Sequence, residues 1–372
     1  MRILFCGGGT AGHVMPAVAI AEAVKERDKN CEILFVGREN GNENRAVINA
    51  HFPLKTIKIC GLKRSLSPQN IKNIAVAISA LSKAKKILRD FKPDVVVGTG
   101  GYVSWPIVKT AQKMKIKTVL HESNASPGLV TKMLGPSADL LLLNLQGSDE
   151  KFKRKDNVLT VGNPVRKEFY ETSKISARKK LGIRKNELVI TSFGGSGGSE
   201  VLNSTILKLM DSHTSKVQGI VHIHSAGVKY YDDIKASRPK YTDGSCRATV
   251  KPYIDNMAET VAASDIVISR CGAMSIAELA AAGKAAILIP SPNVTNDHQK
   301  KNAQHIANAG ACIFIEEKNL TEHTLFDAVK RLEGDKKLRD GLGKKLENFY
   351  VPKSAEIICD AIFRLLNVSA AK

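Results

Sequence analysis

The first residues of the chain that could do chemistry are a cluster of glycines and the histidine behind it. Gly7–Gly12 comes directly after the apolar run Arg2–Cys6, and His13 comes next. Backbone N–H groups without neighbouring side chains can approach a phosphate, and the dipole of a following helix favours its charge. The same dipole would lower the pKa of His13 and keep its imidazole neutral, as a general base requires. The alternative is a neutral histidine that only caps or packs.

Two further apolar runs also end in glycine clusters. They are Asp94–Val97 before Gly98–Gly101, and Leu188–Phe193 before Gly194–Gly198. A buried strand that leads through a glycine turn into a helix is typical of an anion site. Two such loops in the first half of the chain and one in the second predict two α/β domains that face one pair of phosphorylated substrates.

The first loop also has the glycine spacing of dinucleotide-binding proteins. Gly7, Gly9 and Gly12 match that spacing, and Glu39 lies just after the second predicted strand, where an acid would hold a ribose. Taken alone, the pattern favours an NAD enzyme. His13 at the mouth of the loop and the recurring glycine clusters count against it, because a single dinucleotide would not need them.

Polar side chains follow several other predicted strands. His121–Asn124, Ser269–Ser275 and Pro290–Gln299 would lie at the carboxyl ends of parallel strands, where open α/β sheets bind ligands. Glu278 could accept hydrogen bonds from both hydroxyls of a ribose, or it could be an ordinary capping-box acid. Arg270 could be a surface cation, but its place directly after an apolar strand favours an anionic partner.

Strand and helix patterns alternate along the chain, and these elements must position the polar groups. Helical spacing of apolar residues predicts helices from about Ala17, over 75–88, after Pro106, over 275–282 and over 354–367. Short apolar runs predict strands at 2–6, 32–36, 95–97, 118–121, 139–143, 189–193, 219–224, 265–269 and 286–290. The expected class is therefore α/β, with doubly wound parallel sheets covered by helices.

Length and composition are compatible with two domains. The chain has 372 residues, 43% of them hydrophobic, which is enough for two cores, and we expect a boundary in the polar region between Val165 and Lys185. We expect neither a transmembrane helix nor a signal peptide. Seven scattered cysteines without a C-x-x-C pair predict reduced, mostly buried thiols in a cytosolic protein.

The chain is strongly basic, with 56 Lys and Arg against 36 Asp and Glu and a formal charge of +20. Such a field attracts nucleic acid, an anionic bilayer or phosphorylated substrates, although it could also be a merely solvated surface. Aromatic residues make up only 5%, and no nucleic-acid recognition motif is recognisable. We therefore expect no nucleic-acid partner.

Eight sequence strings, spread from end to end, give the strongest indication of function. They are GGGTAGHVMPAVAIA, GTGGYVSWP, HESNASPGLVTKML, VGNPVR, FGGSGGSEVLN, YIDNMA, SRCGAMSIAELAAAGK and PSPNVTNDHQKKNA. In this order they resemble the motifs of the MurG family. The resemblance implies a GT-B fold, with two Rossmann-like domains and an interdomain cleft. It also implies inverting transfer of GlcNAc from UDP-GlcNAc to the 4-hydroxyl of MurNAc in lipid I, giving lipid II for peptidoglycan synthesis.

The resemblance also assigns roles to the domains. Residues 1–165 would form the acceptor and membrane-facing domain, residues 166–351 would bind the donor UDP-GlcNAc, and a C-terminal helix at about 352–368 would pack back on the first domain. The implied location is the cytoplasmic face of the cell membrane. The implied partners are UDP-GlcNAc, lipid I, the anionic inner-membrane surface and cell-wall synthesis proteins.

The family's site residues map onto matching positions here. The implied donor-site residues are Thr10, Ala11, Gly12, Asn124, Arg166, Ser196, Ile254, Arg270, Ala273, Met274, Ser275, Ile276, Ala277, Glu278 and Gln299. Within this set, Ser196 would meet the diphosphate, Glu278 the ribose and Gln299 the sugar hydroxyls, while the backbone of Ile254 would contact uracil. His13 matches the candidate catalytic base.

The acceptor diphosphate would face the first two glycine loops, at Gly9, Gly100, Gly101 and Tyr102. The chain departs from the usual family pattern at Ala11, Ser123 and Trp105. Ala11 would add a methyl group beside the sugar site and Trp105 would add bulk near the acceptor loop, and neither change removes a group that does the chemistry. No Asp-x-Asp motif of the metal-dependent kind is present, so we expect neither a metal ion nor a cofactor.

A basic and apolar stretch beside the first-domain loops predicts the membrane-docking surface. Its residues are Leu62, Lys63, Arg64, Leu66, Ile71, Lys72 and Ile74. The cations would meet anionic headgroups and the apolar side chains would enter the interface shallowly. The alternative is that Ile74–Leu81 is simply the core face of a helix.

Two other functional classes remain open from the sequence. A UDP-GlcNAc 2-epimerase could share the fold, and it would act on UDP-GlcNAc without an acceptor. A basic nucleic-acid binder would bind duplex or RNA in a strongly salt-dependent way.

Overall fold

The computed structural model describes residues 1–9, 11–41, 44–60, 69–144, 150, 152–195, 197–294 and 297–367. It divides the chain into two compact units. The first unit comprises Met1–Val165 and Val351–Lys372, and the second comprises Arg166–Tyr350. Each unit has its own sheet and core, and each is described by itself.

The first unit is built on a parallel sheet with the strand order β3-β2-β1-β4-β5-β6-β7 in the described residues. The strands are β1 (Arg2–Cys6), β2 (Glu32–Arg38), β3 (Leu54–Ile57), β4 (Val95–Gly98), β5 (Lys117–Glu122), β6 (Leu140–Leu143) and β7 (Val158–Thr160). The helices are α1 (Ala11–Arg27), α2 (Asn44–Asn49), α3 (Gln69–Phe91), α4 (Ser104–Lys113), α5 (Leu129–Leu134) and, at the end of the chain, α15 (Ser354–Leu365).

The strands at the centre of this sheet are apolar throughout because helices cover both of its faces. Ile3 and Phe5 of β1 belong to one hydrophobic core, and the alternate residues Leu4 and Cys6 belong to another. A strand buried on both faces reads as a continuous apolar run rather than an alternating one. The central strands were therefore predictable from the sequence.

The C-terminal helix α15 packs in the first unit, against α1. Its residues Ile358, Ile362 and Phe363 belong to the same core as Ile20 of α1. The Arg27 guanidinium lies 4.6 Å from the centre of the Phe363 ring. The first core thus contains side chains from both ends of the chain.

The second unit is built on another parallel sheet, with the strand order β10-β9-β8-β11-β12-β13 in the described residues. The strands are β8 (Leu188–Phe193), β9 (Ile220–Ser225), β10 (Ala248–Lys251), β11 (Ile266–Ser269), β12 (Ala285–Leu288) and β13 (Ile313–Phe314). The helices are α6 (Glu168–Glu171), α7 (Lys174–Lys180), α8 (Glu200–Leu209), α9 (Val228–Ser237), α10 (Met257–Ala263), α11 (Ala273–Ala281), α12 (His298–Asn308), α13 (Glu322–Gly334) and α14 (Lys336–Glu347).

Each sheet reverses its strand order once, and such a reversal predicts where a ligand binds. In the first unit the reversal lies between β1 and β4, and in the second it lies between β8 and β11. Helices that follow neighbouring strands at such a point diverge to opposite faces and leave a crevice beyond the carboxyl ends of the strands. All three glycine loops follow strands that border a reversal.

No helix in the described ranges is long and apolar enough to cross a bilayer.

Candidate active site

The first two glycine loops pack backbone to backbone beyond β1 and β4. Gly101 has φ +75°, and a Cβ atom there would lie 1.8 Å from the carbonyl oxygen of Gly8. Gly9 has φ +93°, and its Cβ would lie 2.8 Å from a ring carbon of Tyr102. Only glycine permits such a close approach on this left-handed backbone. The loops therefore form one fitted surface, on which Gly9, Gly100, Gly101 and Tyr102, the predicted acceptor residues, are neighbours.

The half-buried His13 lies in the first turn of α1, against the second glycine loop. A Cβ at Gly100 would lie 2.8 Å from its Cδ2 atom, and one at Gly101 would lie 3.0 Å from its Nδ1 atom. Thr99 Oγ1 donates a hydrogen bond of 2.5 Å to the His13 carbonyl oxygen. The structure thus places the predicted base against the predicted acceptor loop, although its role in proton transfer stays a prediction.

Beside this site, the HESN segment is organised by Glu122, whose role sequence reasoning missed. Its Oε1 atom accepts hydrogen bonds from the backbone and side-chain nitrogens of Asn124, both at 3.0 Å. Its Oε2 atom accepts from Gly128 N at 2.8 Å and Thr131 Oγ1 at 2.7 Å. The buried carboxylate therefore shapes the loop that presents Asn124. An acid at the end of an apolar strand, just before a Pro-Gly turn, was the available signal.

His121 has a structural place. The buried side chain bonds the Gly162 carbonyl oxygen through Nε2 at 3.1 Å, and burial lowers the pKa of its imidazole. Glu39, which a dinucleotide enzyme would use for ribose, instead receives a hydrogen bond of 3.0 Å from Lys83. The described contacts therefore give Glu39 a local partner on α3.

In the second unit, the third glycine loop leads from β8 into α8. A Cβ at Gly198 would lie 2.1 Å from the carbonyl oxygen of Ala226, so the end of this loop is tightly packed. A Cβ at Gly195 or Gly197 would meet no atom of the described residues within 4 Å. The loop thus has one packed end and one open side, and its N–H groups precede a helix N-terminus, as phosphate sites require.

Glu278 lies on α11, which follows β11 on the other side of the strand reversal. Its side chain is half-buried, and none of the described residues hydrogen-bonds to its carboxylate. Burial raises the pKa of Glu278 to about 7, although the positive charge of Arg166 opposes this shift. A partly desolvated carboxyl without a protein donor is an acceptor prepared for ligand hydroxyls.

The side chains of Arg270 and Gln299 are both bonded to other groups of the protein. Arg270 is buried and forms an ion pair with Glu317. Gln299 Oε1 accepts hydrogen bonds from Cys271 N at 3.2 Å and from Ser291 N at 2.9 Å. Their contact with a donor stays a prediction. The structure shows that both side chains connect loops at the carboxyl edge of the second sheet.

The other predicted donor residues are distributed around this edge. Ile254 is buried in the loop after β10, and the Arg166 side chain extends over the ring of Phe169 at 5.4 Å. No described side chain caps α11 after Gly272. Five further predicted residues lie in the first turns of that helix, namely Ala273, Met274, Ser275, Ile276 and Ala277. Gly12 lies in the first unit, in α1.

Several predictions fall outside the described residues. These are Thr10, Ser196, Leu62, Lys63, Arg64 and Leu66. Ala11, Ile71, Lys72 and Ile74 lie in described helices, but only their backbone is described. Among the described residues, no group of three or more His, Cys, Asp or Glu side chains is arranged to hold a metal ion.

A buried histidine pair lies under the third glycine loop. Ser192 Oγ lies 2.9 Å from His222 Nε2 and 2.8 Å from His224 Nδ1. Thr214 Oγ1 lies 3.0 Å from His222 Nδ1, and Asn203 Oδ1 lies 3.1 Å from His224 Nε2. This chain of bonds connects the interior of the sheet to α8. Two histidines spaced by two residues on one strand were the sequence signal for it.

We expect this pair to make the protein sensitive to acid. Burial lowers the pKa of His222 to about 3 and that of His224 to about 4. Since an unfolded histidine titrates near pH 6.5, their stabilisation is complete above that pH and is lost as pH falls towards about 4. The expected loss is up to about 1.4 kcal/mol per pH unit for each histidine.

Denaturant unfolding at several pH values tests this expectation. His224→Gln removes one titrating group and should make the dependence of unfolding free energy on pH shallower. His323→Gln is the matched control, because the His323 side chain is 84% exposed. Equal slopes in the wild type and His224→Gln would show that the pair is not responsible.

The chain matches two family domains that together span most of its length. Residues 3–141 match the glycosyltransferase family 28 N-terminal domain, and residues 189–350 match the family 28 C-terminal domain. A relative from Acetivibrio thermocellus is 39% identical over 371 residues, which cover 100% of both chains. That protein is named UDP-N-acetylglucosamine–N-acetylmuramyl-(pentapeptide) pyrophosphoryl-undecaprenol N-acetylglucosamine transferase.

Solved structures support the fold. The crystal structure of Acinetobacter baumannii MurG is similar with a TM-score of 0.72 and 24% identity, over 98% of this chain and 99% of that chain. Neisseria meningitidis UDP-GlcNAc 2-epimerase bound to UDP-GlcNAc has a TM-score of 0.65 and 13% identity, over 98% of this chain and 100% of that chain. These likenesses, together with two parallel sheets each reversed once, confirm the predicted GT-B class.

Proposed function

This chain belongs to the MurG family within glycosyltransferase family 28, and we propose that it transfers GlcNAc from UDP-GlcNAc to the 4-hydroxyl of MurNAc in lipid I. The product would be lipid II, and the anomeric carbon would be inverted. Support comes from full-length identity of 39% to a transferase named for this reaction. The enzyme would therefore act in peptidoglycan synthesis, and through it in cell-wall growth, cell shape and division.

The second unit would bind the donor. The Glu278 carboxylate, which receives no hydrogen bond from the described residues, carries this assignment because a ribose offers two hydroxyl donors. The third glycine loop would face the diphosphate, since a Cβ at Gly195 or Gly197 would meet open space and the loop precedes a helix N-terminus. Ile254 would contact uracil and Gln299 the sugar.

The first unit would bind the acceptor. The fitted surface of the first two glycine loops would face the lipid-linked diphosphate, and His13 lies against that surface. As the base, His13 would take the proton of the MurNAc 4-hydroxyl while the sugar oxygen forms its new bond to the anomeric carbon of GlcNAc. The bond from that carbon to the UDP oxygen would break on the opposite face, which explains inversion.

The leaving group would be stabilised by the protein. The departing UDP gains negative charge on its diphosphate, and preorganised N–H groups at a helix N-terminus stabilise such charge without having to reorganise. The third glycine loop before α8 supplies groups of this kind. We therefore propose that the reaction proceeds without a metal ion or cofactor.

Transfer of labelled GlcNAc to a short-chain lipid I analogue tests the function. We expect a labelled lipid II analogue and UDP in equal amounts, and only when both substrates are present. The GT-B fold is shared with a UDP-GlcNAc 2-epimerase, so the reaction with UDP-GlcNAc alone is the essential comparison. Formation of UDP-ManNAc without an acceptor would replace the transferase assignment by the epimerase.

We further propose that the protein docks peripherally on the cytoplasmic face of the cell membrane, where lipid I and cell-wall synthesis proteins would be its partners. Support comes from α3, where Ala80 and Ala84 are buried in the core but Ile78 is 62% exposed. One apolar residue in the first half of this helix is thus not a core residue. An exposed apolar side chain is available to enter a bilayer interface shallowly.

Neutralising Lys63, Arg64 and Lys72 together to glutamine should weaken binding to anionic vesicles. Each cation near a negative surface contributes about 1 kcal/mol, and salt should matter less for the variant. Cosedimentation with anionic and neutral vesicles measures the change, and UDP-GlcNAc affinity should stay the same.

The control neutralises Lys85, Lys86 and Arg89, which are exposed near the other end of the same helix. That variant has the same net charge but should retain most of its vesicle binding. If both triple variants lose binding equally, net charge rather than this surface attracts the membrane. If the first variant binds like the wild type, the docking surface lies elsewhere.

A further inference from the structure

Arg270 lies at the strand reversal of the second unit, and its guanidinium connects several loops there. Its Nη1 atom donates to the carbonyl oxygens of Ile289 at 3.3 Å and Pro290 at 3.2 Å. Its Nη2 atom donates to Ser199 Oγ at 2.5 Å and also to the Glu317 carboxylate. Two of the three guanidinium nitrogens are therefore fully occupied by protein acceptors.

Ser199 is the point through which Arg270 can act on the third glycine loop. It follows that loop directly and is the N-cap of α8, where its Oγ accepts a hydrogen bond from Leu202 N at 3.4 Å. A Cβ at Gly194 would lie 2.8 Å from the Ser199 nitrogen, so the loop closes back onto this residue. By hydrogen-bonding to Ser199, Arg270 therefore also positions the end of the third glycine loop.

Glu317 supplies the charge that keeps Arg270 in this place. It belongs to a single 3₁₀ turn, Glu317–Asn319, that follows β13. The Arg270 side chain is 7% exposed and the Glu317 side chain is 16% exposed, so the pair is shielded from solvent. Removing one partner of a buried pair leaves the other charge uncompensated and displaces it.

We propose that Glu317 is a positioning residue for the diphosphate site, acting through Arg270 and Ser199. Because Glu317 is negative, it would repel a diphosphate rather than bind it. Any favourable effect of Glu317 on diphosphate binding must therefore pass through Arg270. The carbonyl oxygens of Ile289 and Pro290 fix the arginine on its other side. The inference rests on the proposed function in one respect, namely that the third glycine loop receives the diphosphate of UDP.

The test compares two ligands that differ only in the diphosphate. Glu317→Gln keeps the shape of the side chain but removes its charge. We expect calorimetry to show UDP binding weakened about tenfold, with uridine binding changed less than about twofold. A general loss of structure would weaken the binding of UDP and of uridine alike. The ratio of the two affinities therefore shows whether the diphosphate site in particular has lost its position. In the transfer reaction, the KM for UDP-GlcNAc should rise.

A double-mutant cycle tests whether Glu317 acts on the diphosphate site through Ser199. Ser199→Ala alone should also weaken UDP binding, and Glu317→Gln should have little additional effect in that background, because the link to the loop is already broken. Additive losses would overturn the proposed route through Ser199. If Glu317→Gln does not fold, Ser199→Ala tests the same link from its other end with the same pair of ligands.

Glu333→Gln is the matched control. Glu333 is also a partly buried acid of the second unit, paired with His213 at 2.8 Å. Its variant should bind UDP like the wild type. Tighter UDP binding by Glu317→Gln, or equal losses for UDP and uridine, would overturn the positioning role. Failure of the wild-type protein to bind UDP would instead contradict the proposed function itself.

Discussion

Replacing His13 with alanine is expected to lower turnover by about 10²–10⁴-fold while leaving the affinity for UDP-GlcNAc almost intact. The reason is its place in the first unit, with the ring against Gly100 and Gly101. A base that takes the acceptor proton contributes to the chemical step rather than to donor binding. Steady-state transfer of labelled GlcNAc measures turnover, and calorimetry measures donor affinity.

The matched control for this change is His51→Asn. His51 is an exposed histidine of the first unit with φ +58°, a backbone conformation that asparagine tolerates. Its replacement should leave turnover close to that of the wild type. If His13→Ala reduces turnover less than tenfold, another group or solvent takes the proton, and His13 would be a packing residue of the glycine loops.

Replacing Glu278 with alanine is expected to weaken UDP-GlcNAc binding by about 2–3 kcal/mol, because two ribose hydroxyls lose a charged acceptor. The raised pKa of about 7 adds a second expectation for the wild type. Since the ionised carboxylate accepts hydrogen bonds better, donor affinity should fall as pH drops below about 7. Calorimetry between about pH 6 and pH 8 measures both effects.

Glu278→Gln distinguishes charge from shape, because it keeps the size of the side chain but cannot titrate. Its donor affinity should be weak and independent of pH over the same range. Glu322→Ala, at an exposed position in the first turn of α13, serves as the control and should bind donor normally. Unchanged donor affinity in Glu278→Ala would remove Glu278 from the site.

The parts of the fold that could be predicted are those with both faces buried. The runs Arg2–Cys6 and Leu188–Phe193 are apolar along nearly their whole length, and each forms a central strand. The missed strands lie at the sheet edges or are very short. Leu54–Ile57 is half-exposed at its start, and Ile313–Phe314 contains only two residues. Such segments carry too few apolar positions to show a period.

In the candidate site too, the sequence indicated some features, and only the tertiary structure shows the others. The glycine loops, His13 and Glu278 could be singled out because each lies in or next to a strand or helix that the sequence already indicates. The pairing of Arg270 with Glu317 was not, because 47 residues separate them and only the tertiary fold brings them together. The number of hydrogen bonds that Glu122 accepts depends likewise on the path of the loop that follows it.

The position of α15 has a consequence for how the protein is made. Ile358, Ile362 and Phe363 complete the hydrophobic core of the first unit, whose strands begin at Arg2. Protein chains leave the ribosome amino terminus first, and domains commonly fold as they emerge. Here the whole second unit, Arg166–Tyr350, is synthesised before those three side chains exist. During translation the unit that starts first is therefore completed last, and its α1 surface stays uncovered until α15 emerges.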